Sequence, residues 1–206
     1  MTQIFQNRSL CLASSSPRRK MFLEKYDLKF DCHSPNINET PKSNEIAKNF
    51  VKRMSNEKAQ NIKQKFYKLS EEIIVIAGDT IVFFEGQILG KPETQEHAEK
   101  MLRQLSGKKH QVFSGFSIFD SKSEKTISNV VCTEVKLLKL NKKKIEWYIN
   151  SEEPFGKAGS YSIQGLGSIL VESISGSYNN VVGFPIENIF PHLINIGCIS
   201  FGAKNK

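Results

Sequence analysis

The chain has 206 residues, of which 39% are hydrophobic and 24% charged, proportions that are typical of a globular protein and exclude a disordered one. Its formal net charge of +8 suits a polyanionic partner, which could be nucleic acid, an acidic membrane surface or a phosphorylated small molecule. The sequence contains no arginine-rich tail, RNA-binding aromatic motif or helix-turn-helix pattern that would favour nucleic acid.

The cysteines and the amino terminus indicate the compartment. The four cysteines lie far apart and form no Cys-x-x-Cys pair, so neither a zinc site nor a disulfide framework is indicated. The amino terminus lacks the apolar core of a secretion signal, and no apolar run reaches membrane-spanning length. We therefore expect a cytoplasmic protein that does not enter a membrane.

The first predicted element is a buried strand over Leu10–Ala13, which leads through the turn Ser14–Ser16 into a helix that begins at Pro17. Small residues allow backbone N–H groups to converge, and the helix start carries partial positive charge, so this turn suits an anion. Arg18 and Arg19 occupy the first helical turn, where acidic residues would be the stabilising choice. The pattern indicates a phosphate site, and a solvated basic helix start is the alternative.

A polar loop over residues 31–42 contains Glu39, a possible carboxylate ligand. A helix is then predicted from about Asn44 to Leu69, with apolar residues at three- and four-residue steps. Lys58 falls on this apolar stripe, so its ammonium group must either extend to solvent or meet a negative partner.

The segment Ile73–Phe84 reads as an apolar strand that contains Asp79, and Glu85-Gly86 predicts a tight turn to a returning strand. In this hairpin Phe84 pairs with Gln87, and continuing the ladder places Thr80 opposite Lys91 and Asp79 near Lys91. A carboxylate among apolar residues is costly unless a cation, a metal ion or hydrogen-bond donors meet it. Asp79 is therefore the main candidate catalytic residue, with a strand-end Asp that binds backbone N–H groups as the alternative.

The remaining pattern predicts a mixed α/β fold, in which helices flank a mixed β-sheet. The predicted elements are a helix from Thr94 that ends before Gly107, strands near residues 111–119 and 126–140, a helix near 143–150, a strand over 168–174 and a helix after Pro185. The segment 157–165 combines glycines with the amide of Gln164, a composition suited to wrapping a planar ligand, although a plain surface loop has the same composition.

Five segments together resemble the Maf family of nucleoside triphosphate pyrophosphatases. They are Leu12–Arg19, Gly78–Thr80, Leu89–Pro92, Lys157–Gly159 with Ile163–Gly165, and Gly176–Gly183. The resemblance implies a single Maf/Ham1 (ITPase-like) domain over residues 1–206, with two lobes around a cleft. It also implies a divalent cation, Mg²⁺ or Mn²⁺, and cleavage between the α- and β-phosphates that releases pyrophosphate and a nucleoside monophosphate.

By position, Asp79 resembles the family's catalytic aspartate, and Asp79 with Glu39 would bind the metal. The resemblance and the anion-binding turn give the substrate-binding candidates Ser14, Ser16, Arg18, Arg19, Lys58, Thr80, Lys91 and Gln164. The Ile-Gln-Gly form around Gln164 resembles the branch that acts on dTTP and UTP, and modified pyrimidine nucleotides are a further substrate class. One amide can meet the N3–H donor and the neighbouring carbonyl of uracil or thymine together.

The sequence leaves two alternative functions open. The first is 7-methyl-GTP pyrophosphatase activity, although that branch typically has Glu in place of Gln164. The second is a non-catalytic regulator of cell division or a nucleic-acid binder. We expect a nucleoside triphosphate as substrate and no stable nucleic-acid complex, and a homodimer is an expectation from the family. Asn38, Gly156 and Ser114 depart from residues common in the family, and a change at Asn38 could alter metal affinity.

Overall fold

Residues 2–66 and 72–203 are described by the computed structural model and form nine β-strands and six α-helices. The strands are β1 Thr2–Gln6, β2 Ser9–Ala13, β3 Asp31–His33, β4 Ile73–Phe84, β5 Gln87–Leu89, β6 Lys109–Asp120, β7 Lys125–Leu137, β8 Val171–Ser175 and β9 Ile199–Ala203. The helices are α1 Pro17–Glu24, α2 Ala47–Phe66, α3 Gln95–Leu105, α4 Lys142–Asn150, α5 Tyr178–Val182 and α6 Ile186–Asn195. Short 3₁₀ turns cover Ala158–Ser160 and Gly165–Leu170.

Local sequence explains where several helices begin. Pro17 is the first residue of α1, a position that suits a residue without an N–H group. The Thr94 side chain accepts a hydrogen bond from the His97 N–H at 3.2 Å before α3. Asn141 caps α4 in the same way, through the Lys144 N–H at 2.9 Å. Each cap satisfies a backbone donor that the helix itself leaves unpaired.

The chain divides into two compact units. Unit 1 takes its described residues from 1–79, 115–130 and 183–206, and unit 2 consists of residues 80–114 and 131–182. Each unit buries apolar side chains of its own. A core cluster of unit 1 contains Cys11, Ala13, Ala59, Ile62, Ile73, Val75, Ala77 and Phe119. That of unit 2 includes Val82, Leu89, Met101, Leu102, Leu105, Val112, Val135, Leu137, Ile145, Tyr148 and Leu170.

The strand pairing is mixed, which confirms the predicted mixed α/β fold. In unit 1, β2 pairs in parallel with both β3 and β4, and β1 pairs with β9 in antiparallel orientation. In unit 2, β5 is antiparallel to the end of β4, and β7 is antiparallel to β8. The hydrogen-bonded order is β3-β2-β4-β6-β7-β8, with β5 beside β4. In the described part of the chain, no helix is both long and apolar enough to cross a membrane.

The predicted hairpin has the expected turn and register, because Phe84 pairs with Gln87. The ladder ends at the Val82–Leu89 pair, however, so the predicted pairing of Thr80 with Lys91 was wrong. The chain reaches Pro92 three residues after Leu89, and proline has no N–H to donate to a ladder.

Other boundaries also differ from the prediction. Residues 168–170 belong to a 3₁₀ turn, and β8 begins only at Val171. Helix α2 begins at Ala47, after Asn44 with a φ of 58°, a left-handed conformation that a helix interior does not accept. The predicted end of this helix at Leu69 lies outside the described residues.

Candidate active site

Asp79 lies in β4 and binds the ammonium group of Lys58 from α2. Lys58 Nζ is 2.7 Å from Asp79 Oδ1 and 2.8 Å from Oε2 of Glu39, which lies in the loop before α2. Asp79 is 7% exposed and Lys58 is 6% exposed, whereas the Glu39 side chain is 52% exposed. The lysine on the apolar stripe therefore meets two negative partners, which is the second of the two outcomes that the sequence allows.

The arrangement explains how charged groups persist among apolar strand residues. Removing a carboxylate from water is costly unless a close counter-charge and hydrogen bonds offset the loss. Lys58 supplies both to Asp79. Glu39 brings a second negative charge to the same ammonium group from the solvent side. The cluster is therefore buried at Asp79 and accessible to solvent at Glu39.

The serine turn before α1 is organised around Ser14. The Ser16 N–H donates to Ser14 Oγ at 3.1 Å, and Arg19 Nη1 donates to the same oxygen at 3.2 Å. Arg19 Nε donates to the Gly183 carbonyl oxygen at 2.9 Å. Arg19 thus turns inward and is buried, while Arg18 is half-buried.

Burial lowers the pKa of the Arg19 guanidinium, and the negative charge of Asp79 opposes that shift. Gly78, the residue before Asp79, leaves room for Arg19, because a Cβ atom there would lie 3.0 Å from Arg19 Nε. Arg19 is therefore held within unit 1 next to Gly78 and interacts electrostatically with Asp79. This site combines two cations and two carboxylates from α1, α2, β4 and the loop before α2.

The other candidates, Thr80, Lys91 and Gln164, belong to unit 2. Thr80 Oγ1 and Ser114 Oγ are 2.8 Å apart, and Ser114 Oγ donates to the Asn180 carbonyl oxygen at 3.0 Å. Because a hydroxyl has one hydrogen, Ser114 accepts its bond from Thr80. The nearness of Asp79 to Lys91 stays a prediction.

Lys91 is exposed, and Gln164 is half-buried. The Gly159 N–H donates to the Gly90 carbonyl oxygen at 3.0 Å, so the glycine-rich segment is tied to the chain beside Lys91. The Gln164 N–H donates to Ser162 Oγ at 3.2 Å. Two of the unit 2 candidates therefore lie on segments that are joined by a backbone hydrogen bond.

Glu39 and Asp79 could contribute to a metal site. The chain over residues 2–66 and 72–203 contains no cluster of three or more His, Cys, Asp or Glu side chains that could hold a metal ion. Mg²⁺ commonly uses only one or two carboxylates and takes its other oxygens from water and substrate phosphate. Glu39 and Asp79 already converge on one cation, and each carboxylate has further lone pairs. The donor set therefore fits a metal that is shared with a phosphorylated substrate.

Sequence reasoning gave no individual role to the segment 176–183. In the structure, the Gly183 carbonyl oxygen holds Arg19, and that of Asn180 holds Ser114. Backbone carbonyl groups are the acceptors in both cases, so the side chains at these two positions do not reveal the contacts in the sequence. The feature of the sequence that indicated a functional role for this segment was its resemblance to a family motif.

Comparison with known proteins places these residues in a family. The family model described as "Maf-like protein" matches residues 9–196. A protein named dTTP/UTP pyrophosphatase from Syntrophus aciditrophicus is 36% identical over 194 residues, which cover 94% of this chain and 93% of the relative. Relatives of the same name from Clostridium tetani and Clostridium perfringens (strain SM101) are 43% and 42% identical, covering 90% and 89% of this chain and 96% and 95% of their own lengths.

Among solved structures, the chain matches the nucleoside-triphosphatase / dITP/XTP pyrophosphatase of Mycobacterium abscessus with a TM-score of 0.41 and 11% identity. The match covers 91% of this chain and 97% of that chain, and a TM-score this low supports no conclusion about this chain. The family model is decisive, because its match over residues 9–196 includes the serine turn, Asp79 and Gln164, and the relatives match over about nine-tenths of this chain. The chain belongs to the Maf family.

Proposed function

We propose that this protein is a nucleoside triphosphate pyrophosphatase that hydrolyses dTTP and UTP to the monophosphate and pyrophosphate. The observation that carries the proposal is the buried Lys58 ammonium between Asp79 and Glu39. In this cluster the ammonium group and one carboxylate are buried, and the other carboxylate faces solvent. Such a cluster is suited to an anionic substrate and an activated water. The relatives that match along most of the chain are named dTTP/UTP pyrophosphatases.

The triphosphate would be bound by cations and by the serine turn. Arg18, Arg19, Lys58 and Lys91 would contact its oxygens, and Ser14 and Ser16 would contribute the turn at the start of α1. Arg19 is already oriented by Ser14 and Gly183, so it needs little reordering when the substrate binds. Positioning and charge stabilisation supply most of the rate in phosphoryl transfer.

Asp79 would order the attacking water or accept its proton. Attack on the α-phosphorus then breaks its bond to the bridging oxygen, and that oxygen leaves with pyrophosphate. A divalent cation, Mg²⁺ or Mn²⁺, held by Asp79 and Glu39 would neutralise charge on the phosphates. Lys58 holds both carboxylates in place and adds positive charge to the same site.

Gln164 would read the base. Its amide oxygen would accept from N3–H of uracil or thymine, and its amide N–H would donate to the adjacent carbonyl. Thr80, fixed by Ser114, and Arg18 would contribute to substrate choice. A carboxylate in place of this amide would suit the paired donors of a guanine, so the amide favours pyrimidines over 7-methyl-GTP.

The first test measures pyrophosphate release from a nucleotide panel that includes dTTP, UTP, CTP and 7-methyl-GTP, with and without Mg²⁺ or Mn²⁺. We expect release from dTTP and UTP that requires metal. The Asp79→Asn variant should lose at least about 100-fold in kcat, as when a general base or ligand of the attacking water is removed, while it remains folded.

The matched control is Asp120→Asn. Asp120 is also buried in unit 1 and pairs with Arg8 at 2.7 Å, so its loss removes a buried carboxylate from an ion pair without touching the candidate site. This variant should keep its kcat. An Asp79→Asn variant that retained most of its activity, or a wild-type protein that released no pyrophosphate from either nucleotide, would refute the proposal.

A further inference from the structure

The residue proposed to read the base lies outside regular secondary structure. Gln164 lies between the 3₁₀ turns Ala158–Ser160 and Gly165–Leu170. Its backbone is extended, with a φ of −91° and a ψ of 158°. It belongs to no strand or helix, so no hydrogen bond of a β-ladder or a helix fixes the position and orientation of its backbone. Other contacts must position its amide if that amide is to distinguish bases.

On the carboxyl-terminal side of Gln164, the segment is held by Glu153. Glu153 Oε2 accepts a hydrogen bond from the Leu166 N–H at 2.9 Å, and Oε1 accepts one from the Gly167 N–H at 2.8 Å. Gly165 has a φ of 68°, and a Cβ atom there would overlap the Glu153 carboxylate. A carboxylate that accepts two backbone N–H groups forms charge-assisted hydrogen bonds, which are stronger than neutral ones.

On the amino-terminal side, the segment is held by Tyr148, which is fully buried in α4. The Ser162 N–H donates to Tyr148 Oη at 3.0 Å, and Tyr148 Oη donates to Glu153 Oε1 at 3.0 Å. The Gln164 N–H in turn donates to Ser162 Oγ. The tyrosine and the glutamate therefore form one connected clamp that fixes the backbone two residues before and two residues after Gln164.

We propose that Tyr148 and Glu153 are the positioning residues that determine base selectivity, because together they fix the segment that carries the Gln164 amide. The proposal rests on the proposed function, in which Gln164 reads the base. An amide can also match cytosine if it turns by half a rotation, since cytosine presents the reversed order of donor and acceptor. Discrimination of uracil from cytosine therefore depends on how firmly the amide is placed.

The test compares UTP with CTP in the variants Tyr148→Phe and Glu153→Gln. Tyr148→Phe keeps the ring in the core and removes only the hydroxyl that links the two flanks. We expect the ratio of kcat/KM for UTP to that for CTP to fall by about tenfold, the size of one lost hydrogen bond of about 1.4 kcal/mol. The loss should appear as a higher KM for UTP with little change in kcat, since base binding is made equally in the ground state and the transition state.

The matched control is Glu152→Gln, which makes the same chemical change at the neighbouring exposed position. It should leave the UTP to CTP ratio at the wild-type value. The Gln164→Ala variant gives the reference loss of selectivity, which the two clamp variants should approach. Circular dichroism and urea unfolding establish that each variant is folded, and Tyr148→Phe keeps the test available if Glu153→Gln does not fold.

The outcomes separate this inference from the proposed function. If wild type prefers UTP and Gln164→Ala loses that preference, but the folded Tyr148→Phe variant keeps it, the clamp does not set selectivity and only this inference fails. If kcat falls while the UTP to CTP ratio is unchanged, the two residues have a general structural role and the inference also fails. If wild type hydrolyses neither nucleotide, both the inference and the proposed function are refuted.

Discussion

A buried lysine between two carboxylates is the most demanding feature of the candidate site. The Lys58–Asp79 pair is almost removed from water, so the attraction between the two charges has to offset a desolvation cost of several kcal/mol per ion. Glu39 is half-exposed and keeps much of its hydration, so it adds negative charge at lower cost. A cluster of this kind is costly to leave incomplete, and we expect its members to depend on one another.

The Lys58→Met variant should be less stable by about 3 kcal/mol, because it leaves the Asp79 carboxylate buried without its ammonium partner. The methionine preserves most of the volume on the apolar stripe of α2. Urea unfolding at pH 7 measures the difference in the free energy of unfolding. The buried Arg19 guanidinium interacts electrostatically with Asp79, and its positive charge limits the loss.

Adding Asp79→Asn to Lys58→Met should restore part of this stability, because the uncompensated charge is then removed. The sum of the two single changes would therefore exceed the effect of the double variant. Strict additivity in this cycle would show that the two side chains do not interact energetically, against the 2.7 Å contact.

The sequence identifies Lys58 and Asp79 because each is a charge in an otherwise apolar pattern. It does not identify the partners of Arg19 to the same degree. Ser14 is near in sequence, but the Gly183 carbonyl oxygen is 164 positions away, and every residue has such a group. A residue that breaks a local pattern is visible from the sequence, whereas the backbone atom that stabilises it is known only from the fold.

At the scale of elements, α2 organises the loop that carries Glu39. Asn61 accepts from the Asn36 N–H at 3.1 Å and donates to the Asn36 carbonyl oxygen at 3.2 Å. Arg53 binds both carboxylate oxygens of Glu45 at 2.7 and 2.6 Å and the Thr40 carbonyl oxygen at 3.2 Å. These hydrogen bonds to Arg53 lower the pKa of Glu45 to about 2. One helix thus supplies Lys58 and holds the loop on both sides of Glu39.

The packing of α2 against β6 depends on Gly115. A Cβ atom at Gly115 would overlap the Val51 carbonyl group, which belongs to the helix backbone and cannot turn aside. The Gly115→Ala variant should therefore lose about 3 kcal/mol of stability, as in overpacked cores. For a chain of this length, that loss corresponds to a fall in Tm of about 6 to 12 °C, which differential scanning calorimetry can measure.

The control for this prediction is Gly90→Ala, because a Cβ atom at Gly90 would have no neighbour within 4 Å. Its Tm should stay close to that of wild type. Equal shifts in the two variants would mean that the loss of a glycine, and not the contact of β6 with α2, determines the effect.

Elements held by local signals are predictable here, and those held by distant pairing are not. The β4–β5 hairpin follows from Glu85-Gly86 between two apolar runs, and its register is as predicted. Strands β1 and β9 lie at opposite ends of the sequence and pair from Thr2 to Ala203, and neither was predicted. Both are short and lack a long apolar run, so their pairing is decided by the fold.

For the whole molecule, the net charge follows directly from the sequence, but it does not by itself identify the anionic partner. Several lysines are engaged in exposed pairs one helical turn apart, such as Lys20–Glu24 and Lys142–Glu146, and such pairs contribute little to stability. The net charge of +8 still favours the approach of a triphosphate. Binding of nucleic acid, the alternative partner, would weaken steeply with salt and would not depend on Asp79.

The stability of unit 2 should depend on pH through His110. This side chain is 3% exposed and its Nε2 lies 2.7 Å from Tyr161 Oη, while Nδ1 has no hydrogen-bond partner. Burial lowers the pKa of His110 to about 4, so the folded protein keeps the ring neutral at pH 7. The unfolded chain, with a histidine pKa of about 6.5, takes up the proton more readily.

Since the pKa is lower in the folded state, the stabilisation is complete above about pH 6.5 and is lost as the pH falls toward 4. The wild-type protein should lose about 2 to 3 kcal/mol more between pH 7 and pH 4.5 than His110→Gln, which hydrogen-bonds but does not titrate. Urea unfolding followed by the fluorescence of Trp147, the only tryptophan of the chain and a residue of unit 2, measures this difference. Equal losses in the two proteins would show that His110 is not the group whose protonation destabilises the unit.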